Sequence, residues 1–171
     1  HRPSNVDDQV TLMQLMGAVR VLQDEVPIIF PVHPRTADRF RAHGFDRELR
    51  RLPHLRLVEP VGYVEFLSLL CRSRLVLTDS GGVQEESTYL GIPCLTLREN
   101  TERPVTIHAG TNRVVGMDAA RILAEARAIL SGRVPPRAIP PLWDGHAARR
   151  IAERLQYALA EQAQPAAKAC G

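Results

Sequence analysis

The sequence predicts an α/β domain, a parallel sheet with helices on both faces. Three observations carry that prediction. Short strand-like runs alternate with amphipathic helical stretches in units of about 30 residues. The clearest run, Pro27-Ile28-Ile29-Phe30-Pro31-Val32, is continuously apolar, as expected of a strand covered on both faces. Finally, 171 residues with 44% hydrophobic and 24% charged side chains suffice for one ordinary domain with a real core. Right-handed crossovers then make the arrangement Rossmann-like, and in such sheets ligands bind beyond the carboxyl ends of the strands.

The elements follow in order. Val10, Met13, Leu15, Met16, Val19 and Leu22 recur at a helical period, so Val10 to Leu22 is a helix that Asp7 or Asp8 can cap. After the strand at 27–32, a second helix covers Thr36 to His43 and stops at Gly44. Leu55 to Val58 is a strand ended by Pro60, and Tyr63 to Cys71 a short helix with Phe66, Leu67 and Leu70 on one face. The strand Leu75 to Thr78 runs into Asp79-Ser80-Gly81-Gly82, and helix resumes over Val83 to Leu90 until Gly91-Ile92-Pro93. Cys94 to Leu97 is a strand, Arg98 to Thr111 polar and irregular, and Arg113 to Gly116 a small strand. Ala119 to Leu130 is a helix with Ile122, Leu123, Ala126 and Ile129 on one face. A proline-rich connector, 135–141, leads to a last amphipathic helix from His146 to Ala160. The domain thus spans 1–160, and 161–171 is a loose tail with little to bury.

Composition excludes several classes. No apolar run approaches the ~20 residues that cross a membrane, and residues 1–20 carry no secretory pattern. The net charge of +3 comes from scattered arginines, and aromatic residues are only 5%, too few for stacking along a nucleic acid. A small anionic ligand suits this balance better. Cys71, Cys94 and Cys170 are few and widely spaced, forming neither a disulfide framework nor a metal cluster, so the expected compartment is the reducing cytoplasm. The chain begins at His1-Arg2-Pro3, without a start methionine and inside what reads as a loop. We expect a piece of a longer protein.

The sharpest motif is Leu75-Val76-Leu77-Thr78-Asp79-Ser80-Gly81-Gly82-Val83-Gln84-Glu85-Glu86. A strand, a two-glycine turn and a helix start leave bare N–H groups at the positive end of a helix dipole, with Ser80 suited to the N-cap. That geometry binds phosphate. Glu85 and Glu86 lie roughly 100° apart around the helix, so one of them can face the ligand and accept from two ribose hydroxyls. The bland alternative is a capped helix with two solvated glutamates. Asp79-Ser80-Gly81 also matches the triplet of aspartic proteases, but those are β-rich barrels, and Thr78 spoils the Gly-x-Ser-x-Gly elbow of a serine hydrolase. A second feature is Arg98-Glu99-Asn100-Thr101-Glu102-Arg103-Pro104, where Arg103 can fork onto a diphosphate or simply pair with neighbouring carboxylates in an exposed loop. His1, His33 and His108 lie near strand ends, where a structural role is the commoner one. Trp143-Asp144-Gly145-His146 reads as a cap for the last helix.

Taken together, these segments resemble the non-hydrolysing UDP-N-acetylglucosamine 2-epimerases. The matching stretches are His1-Arg2 with Asn5-Val6-Asp7, Pro31-Val32-His33-Pro34, Leu77 to Glu86, and Leu90-Gly91-Ile92-Pro93. They continue with Thr101-Glu102-Arg103-Pro104, Gly110 to Gly116 and the Asp144-Gly145 turn, so the resemblance covers residues 1 to about 158. It implies the C-terminal, nucleotide-binding half of a glycosyltransferase-B-like fold, whose substrate lies in a cleft between two Rossmann-like domains. It further implies elimination of UDP from UDP-N-acetylglucosamine and re-addition with C2 inverted, giving UDP-N-acetylmannosamine for surface polysaccharides. No cofactor or metal is implied.

Carried over by residue, the resemblance gives His1 a catalytic role, although Pro3-Ser4 replace the Arg-Glu that commonly follows the family's His-Arg. Ser80, Gly81 and Gly82 would meet the diphosphate, Glu86 would hold the ribose, and Phe66 would pack near the uracil. Arg103 would act on the diphosphate as its charge grows, and His33 would line the cleft. The expected partners are UDP or its sugar conjugate, the absent N-terminal domain with its catalytic carboxylates, and a second copy of the full-length chain. Two relatives share these expectations: a hydrolysing 2-epimerase, and a glycosyltransferase-B-type transferase, against which the Thr101–Pro104 loop argues. A third reading is a nucleotide-sugar-binding module without catalysis.

Overall fold

A computed structural model of the chain describes residues 2–134 and 138–163, with side chains to residue 160. Among the described residues the five strands, β1 (Ile28–Pro31), β2 (Leu55–Val58), β3 (Val76–Thr78), β4 (Cys94–Thr96) and β5 (Asn112–Val114), are paired in parallel. Their hydrogen bonds form two ladders, β1–β2 and β3–β4–β5, where one continuous sheet was expected. The strands are only three or four residues long, and a single apolar core unites the ladders. Leu55 of β2 and Val32, just past β1, share it with Leu95 of β4 and with Leu97 and Val115, just past β4 and β5.

The helices are α1 (Pro3–Val6), α2 (Gln9–Leu22), α3 (Pro34–Ala42), α4 (Phe45–Leu49), α5 (Tyr63–Cys71), α6 (Gly81–Leu90), α7 (Val105–His108), α8 (Ala119–Leu130) and α9 (Ala147–Ala163). Of the two candidate caps for α2, Asp8 does the work, accepting from the Thr11 N–H at 2.7 Å. The predicted stripe is buried at Leu15, Met16, Val19 and Leu22, while Val10 and Met13 face outward and Leu12 completes the inner face. This face packs on α8 through Ile122, Ala126 and Ile129, and Arg127 clasps Glu25 across the same contact. Each such aliphatic side chain removed from water contributes about 1.5–3 kcal/mol.

Three short helices depart from the sequence reading. The opening segment, read as a loop, is α1, with Pro3 at its first turn, where a missing N–H costs nothing. Within the supposedly irregular 98–111 lies α7, and α4 follows Gly44, whose φ of 76° breaks α3. One-turn helices are too short to show a period. At the other end, α9 runs to Ala163, past the expected boundary at 160; residues 164–171 lie outside the described residues, as does part of the 135–141 connector. Cys71 is exposed and Cys94 fully buried in β4, where burial pushes its thiol up to about 11. It stays protonated and unreactive.

Two glycines shape the site's surroundings. Gly91, at φ 72°, ends α6 in a Schellman pair: Ile92 N–H donates to Ser87 and Gly91 N–H to Thr88. Gly110 lies where α6 and α7 close together. A Cβ there would stand 2.5 Å from the Thr106 carbonyl oxygen and from the Thr88 methyl. Gly110→Ala therefore destabilises the domain by about 1–3 kcal/mol, read as a lower urea midpoint with unchanged slope.

Candidate nucleotide site at the start of α6

β3 delivers Asp79 and Ser80 in extended backbone, and α6 begins at once with Gly81. Thr78 Oγ1 accepts from the Ser80 N–H at 3.1 Å and closes the turn. Ser80 occupies the N-cap position, but its side chain makes no capping bond, contrary to expectation. With ψ at 128°, its backbone already points the turn correctly, and the N–H groups of Gly81, Gly82 and Val83 have no partner within the helix. Gly82 is exposed, and a Cβ on it would meet only Ser80 Oγ at 3.9 Å. The helix start is a bare donor surface.

Arg103 lies directly over it. A Cβ on Gly81 would touch Arg103 Cγ and Nε at 3.8 Å. The guanidinium pairs with Glu85 at 2.8 Å from Nε, a close ion pair without hydrogen-bond alignment, and Nη1 donates to the Glu102 carbonyl at 3.3 Å. Arg98 binds Glu102 at 3.1 Å while its Nη1 is buried without a partner. The hydrogen bond from Arg98 holds the Glu102 carboxyl below its ordinary value, aided by the fields of Arg98, Arg2 and Arg103. Arg103 thus packs against the positive end of α6, while Arg98 and Arg2 act on Glu102 in the adjoining loop.

Asp79 fixes the opening segment to this edge. It is nearly buried and accepts from the Arg2 N–H at 2.9 Å and from Asn5 Nδ2 at 3.3 Å, and Asn5 Nδ2 also donates to the Leu97 carbonyl at 2.9 Å. His1, the residue assigned to catalysis by resemblance, lies outside the described residues. His33 is exposed and caps α3, its Nδ1 accepting from the Arg35 N–H at 3.2 Å.

Glu86 is half-buried and lines an open groove of about 440 Å³ with Tyr63, Leu67, Tyr89, Leu90 and Trp143; Glu85 borders it too. The groove's contribution from α5 is the Tyr63/Leu67 pair, four residues apart on one face. Phe66 is half-buried on α5 but does not line it. Trp143 was missed. The Asp144-Gly145 turn does form a start for α9, with Asp144 accepting from the His146 N–H at 3.0 Å and pairing with Arg150, which together bring its carboxyl down to about 2. The tryptophan beside it faces the groove instead of serving the cap.

This arrangement matches known proteins. A family model described as UDP-N-acetylglucosamine 2-epimerase matches residues 1–156. The chain belongs to that family. It is 37% identical over 159 residues to the UDP-N-acetylglucosamine 2-epimerase of Methanocaldococcus jannaschii, covering 92% of this chain and 43% of the relative. A solved structure of the M. jannaschii enzyme in complex with UDP-GlcNAc and UDP superposes with a TM-score of 0.81, again over 92% of this chain and 43% of that one. A UDP-2,3-diacetamido-2,3-dideoxy-D-glucuronate 2-epimerase of Pseudomonas aeruginosa is 38% identical over 91% of this chain and 42% of its own length. The chain spans less than half the length of these relatives. Its parallel strands flanked by helices are one part of the glycosyltransferase-B fold of this family.

Because Ser80 Oγ caps nothing, Ser80→Ala leaves folding stability within about 0.5 kcal/mol of the parent. Asp118 accepts from the Arg121 N–H at 2.7 Å at the start of α8, so Asp118→Ala costs about 1 kcal/mol. Paired urea titrations measure both.

Proposed function

We propose that this chain is the UDP-binding half of a 2-epimerase that interconverts UDP-N-acetylglucosamine and UDP-N-acetylmannosamine. The observation that carries the reading is Arg103 packed against Gly81, a forked cation over free helix N–H groups. A diphosphate seated there takes hydrogen bonds from Gly81 and Gly82 and charge from Arg103. As the C1–O bond to UDP breaks, negative charge grows on the leaving diphosphate, and a fixed guanidinium stabilises that state more than the bound substrate. Among the described residues, Arg103 is therefore the one placed to act on the bond that breaks.

The nucleoside extends from the helix start along the groove. Glu86 accepts from the ribose hydroxyls, and the base lies toward Tyr63 and Trp143. The opposite wall, with the groups that move the C2 proton and the contacts to the sugar, comes from the N-terminal domain, and the full-length protein works as a cytoplasmic homodimer. Among the described residues no helix is long and apolar enough to cross a membrane. Relatives named for two different sugars are matched at 37% and 38% identity, which supports the nucleotide more firmly than the sugar.

Calorimetry of the 171-residue chain with UDP tests this reading. Binding is expected, and Arg103→Ala weakens it by about 1.5–3 kcal/mol, the range of a hydrogen bond to a charged group. A folded chain that ignores millimolar UDP refutes the site. Trp143 is the sole tryptophan of the sequence, so its emission changes as UDP fills the groove; constant emission at saturating UDP places the base elsewhere. Exchange of the C2 hydrogen in heavy water, followed by NMR, stays at the buffer rate with this chain alone.

A further inference from the structure

The backbone of Arg103 is held in a closed ring of hydrogen bonds that the site assignment leaves unused. Its N–H donates to Thr101 Oγ1 at 2.9 Å, and Thr101 donates its one hydroxyl proton to Gln84 Oε1 at 2.5 Å. Its carbonyl accepts from Thr106 Oγ1 at 2.7 Å. Thr106 Oγ1 accepts from Asn112 Nδ2 at 2.9 Å, and the same amide's second proton goes to Gln84 Oε1 at 3.3 Å. Each hydroxyl in the circuit donates once, and Gln84 takes part through Oε1 alone, its Nε2 being buried without a partner. Gln84 and Thr106 are fully buried and Asn112 is 3% exposed, so water does not compete for these bonds.

Gln84 sits on α6, the helix whose first residues offer the free N–H groups; Thr101 and Arg103 sit on the loop after β4. The bond between Gln84 and Thr101 is thus a strut between the two parts of the anion site. The geometry points to Gln84 and Thr101 as positioning residues: they set the placement of Arg103 over the start of α6 and so determine the affinity for the diphosphate. This rests on the assignment of the UDP site above. Neither residue touches the ligand itself, since Gln84 is wholly buried and the Thr101 hydroxyl is consumed within the ring.

The experiment is UDP calorimetry on the 171-residue chain, with melting temperatures alongside. Thr101→Val keeps the side-chain shape and removes the hydroxyl; Gln84→Met keeps the length and removes the acceptor. Each is expected to weaken UDP binding about tenfold, the effect of one lost hydrogen bond at the upper end of its usual worth, and Thr101→Ser restores it. In an Arg103→Ala background both substitutions have no further effect on affinity, because there is no guanidinium left to position. A general loosening of the fold predicts the opposite: equal losses with and without Arg103. That result overturns the inference, as does parental affinity in both variants while Arg103→Ala remains weak. If one variant does not fold, the other decides by the same criteria. Failure of the parent chain to bind UDP overturns the site assignment, and this inference with it.

Discussion

α6 is tied to β5 and to the loop after β4 by hydrogen bonds that converge on the buried Gln84 Oε1, and the candidate site depends on that seam. The buried side of the helix is Gln84, Ser87 and Thr88, and the facing strands contribute Thr96 and Asn112, linked to each other at 2.6 Å. An apolar seam of the same volume would stabilise as much or more, but it would let a helix slide or rotate by fractions of an ångström at little cost. Directional bonds in a dry interior do not permit that, since each misplacement strands a donor. The glycine-rich helix start and the loop carrying Arg103 come from different parts of the chain. The polar seam gives them one frame.

Around that frame the rest is conventional α/β packing. The apolar core lies between α2, α8 and the strands, remote in kind from the polar seam, and it carries the stability of the domain. The arginines near the strand ends add charge without burying an unpaired carboxylate among them, because Glu85 and Glu102 face their partners at the half-exposed surface. Asp79, buried at the end of β3, accepts from Arg2 and Asn5. The opening residues thereby become part of the site's edge.

Much of this was legible in the residues. The helices Tyr63–Cys71 and Ala119–Leu130 and the strand Leu55–Val58 have the bounds that periodicity suggests, because each presents an apolar pattern long enough to count. The glycine turn at the start of α6 was visible because glycines, a strand end and a helix start must coincide in sequence. The polar seam was not: Gln84, Ser87 and Thr88 have helical spacing, but a polar face ordinarily means solvent. Trp143 escaped for another reason. It reaches the groove across more than fifty residues of chain, and no local pattern encodes such an approach. Helix geometry alone left Glu85 and Glu86 as alternatives and the resemblance pointed to Glu86; both border the groove, and Glu85 is the one paired with Arg103.

The Glu85–Arg103 pair has one more consequence. Both groups are about two-fifths exposed, and an ion pair at such a surface is worth at most about 1 kcal/mol. Glu85 therefore behaves as a resident counter-ion, present before any ligand arrives and cheaply displaced by one. At the proposed site the guanidinium is thus already paired with a carboxylate. A single negative charge gains little by replacing a carboxylate already in place. Only a ligand bringing more charge, and reaching the helix N–H groups at the same time, improves on it. At the proposed diphosphate site, this pairing would favour a dianion over common monoanions.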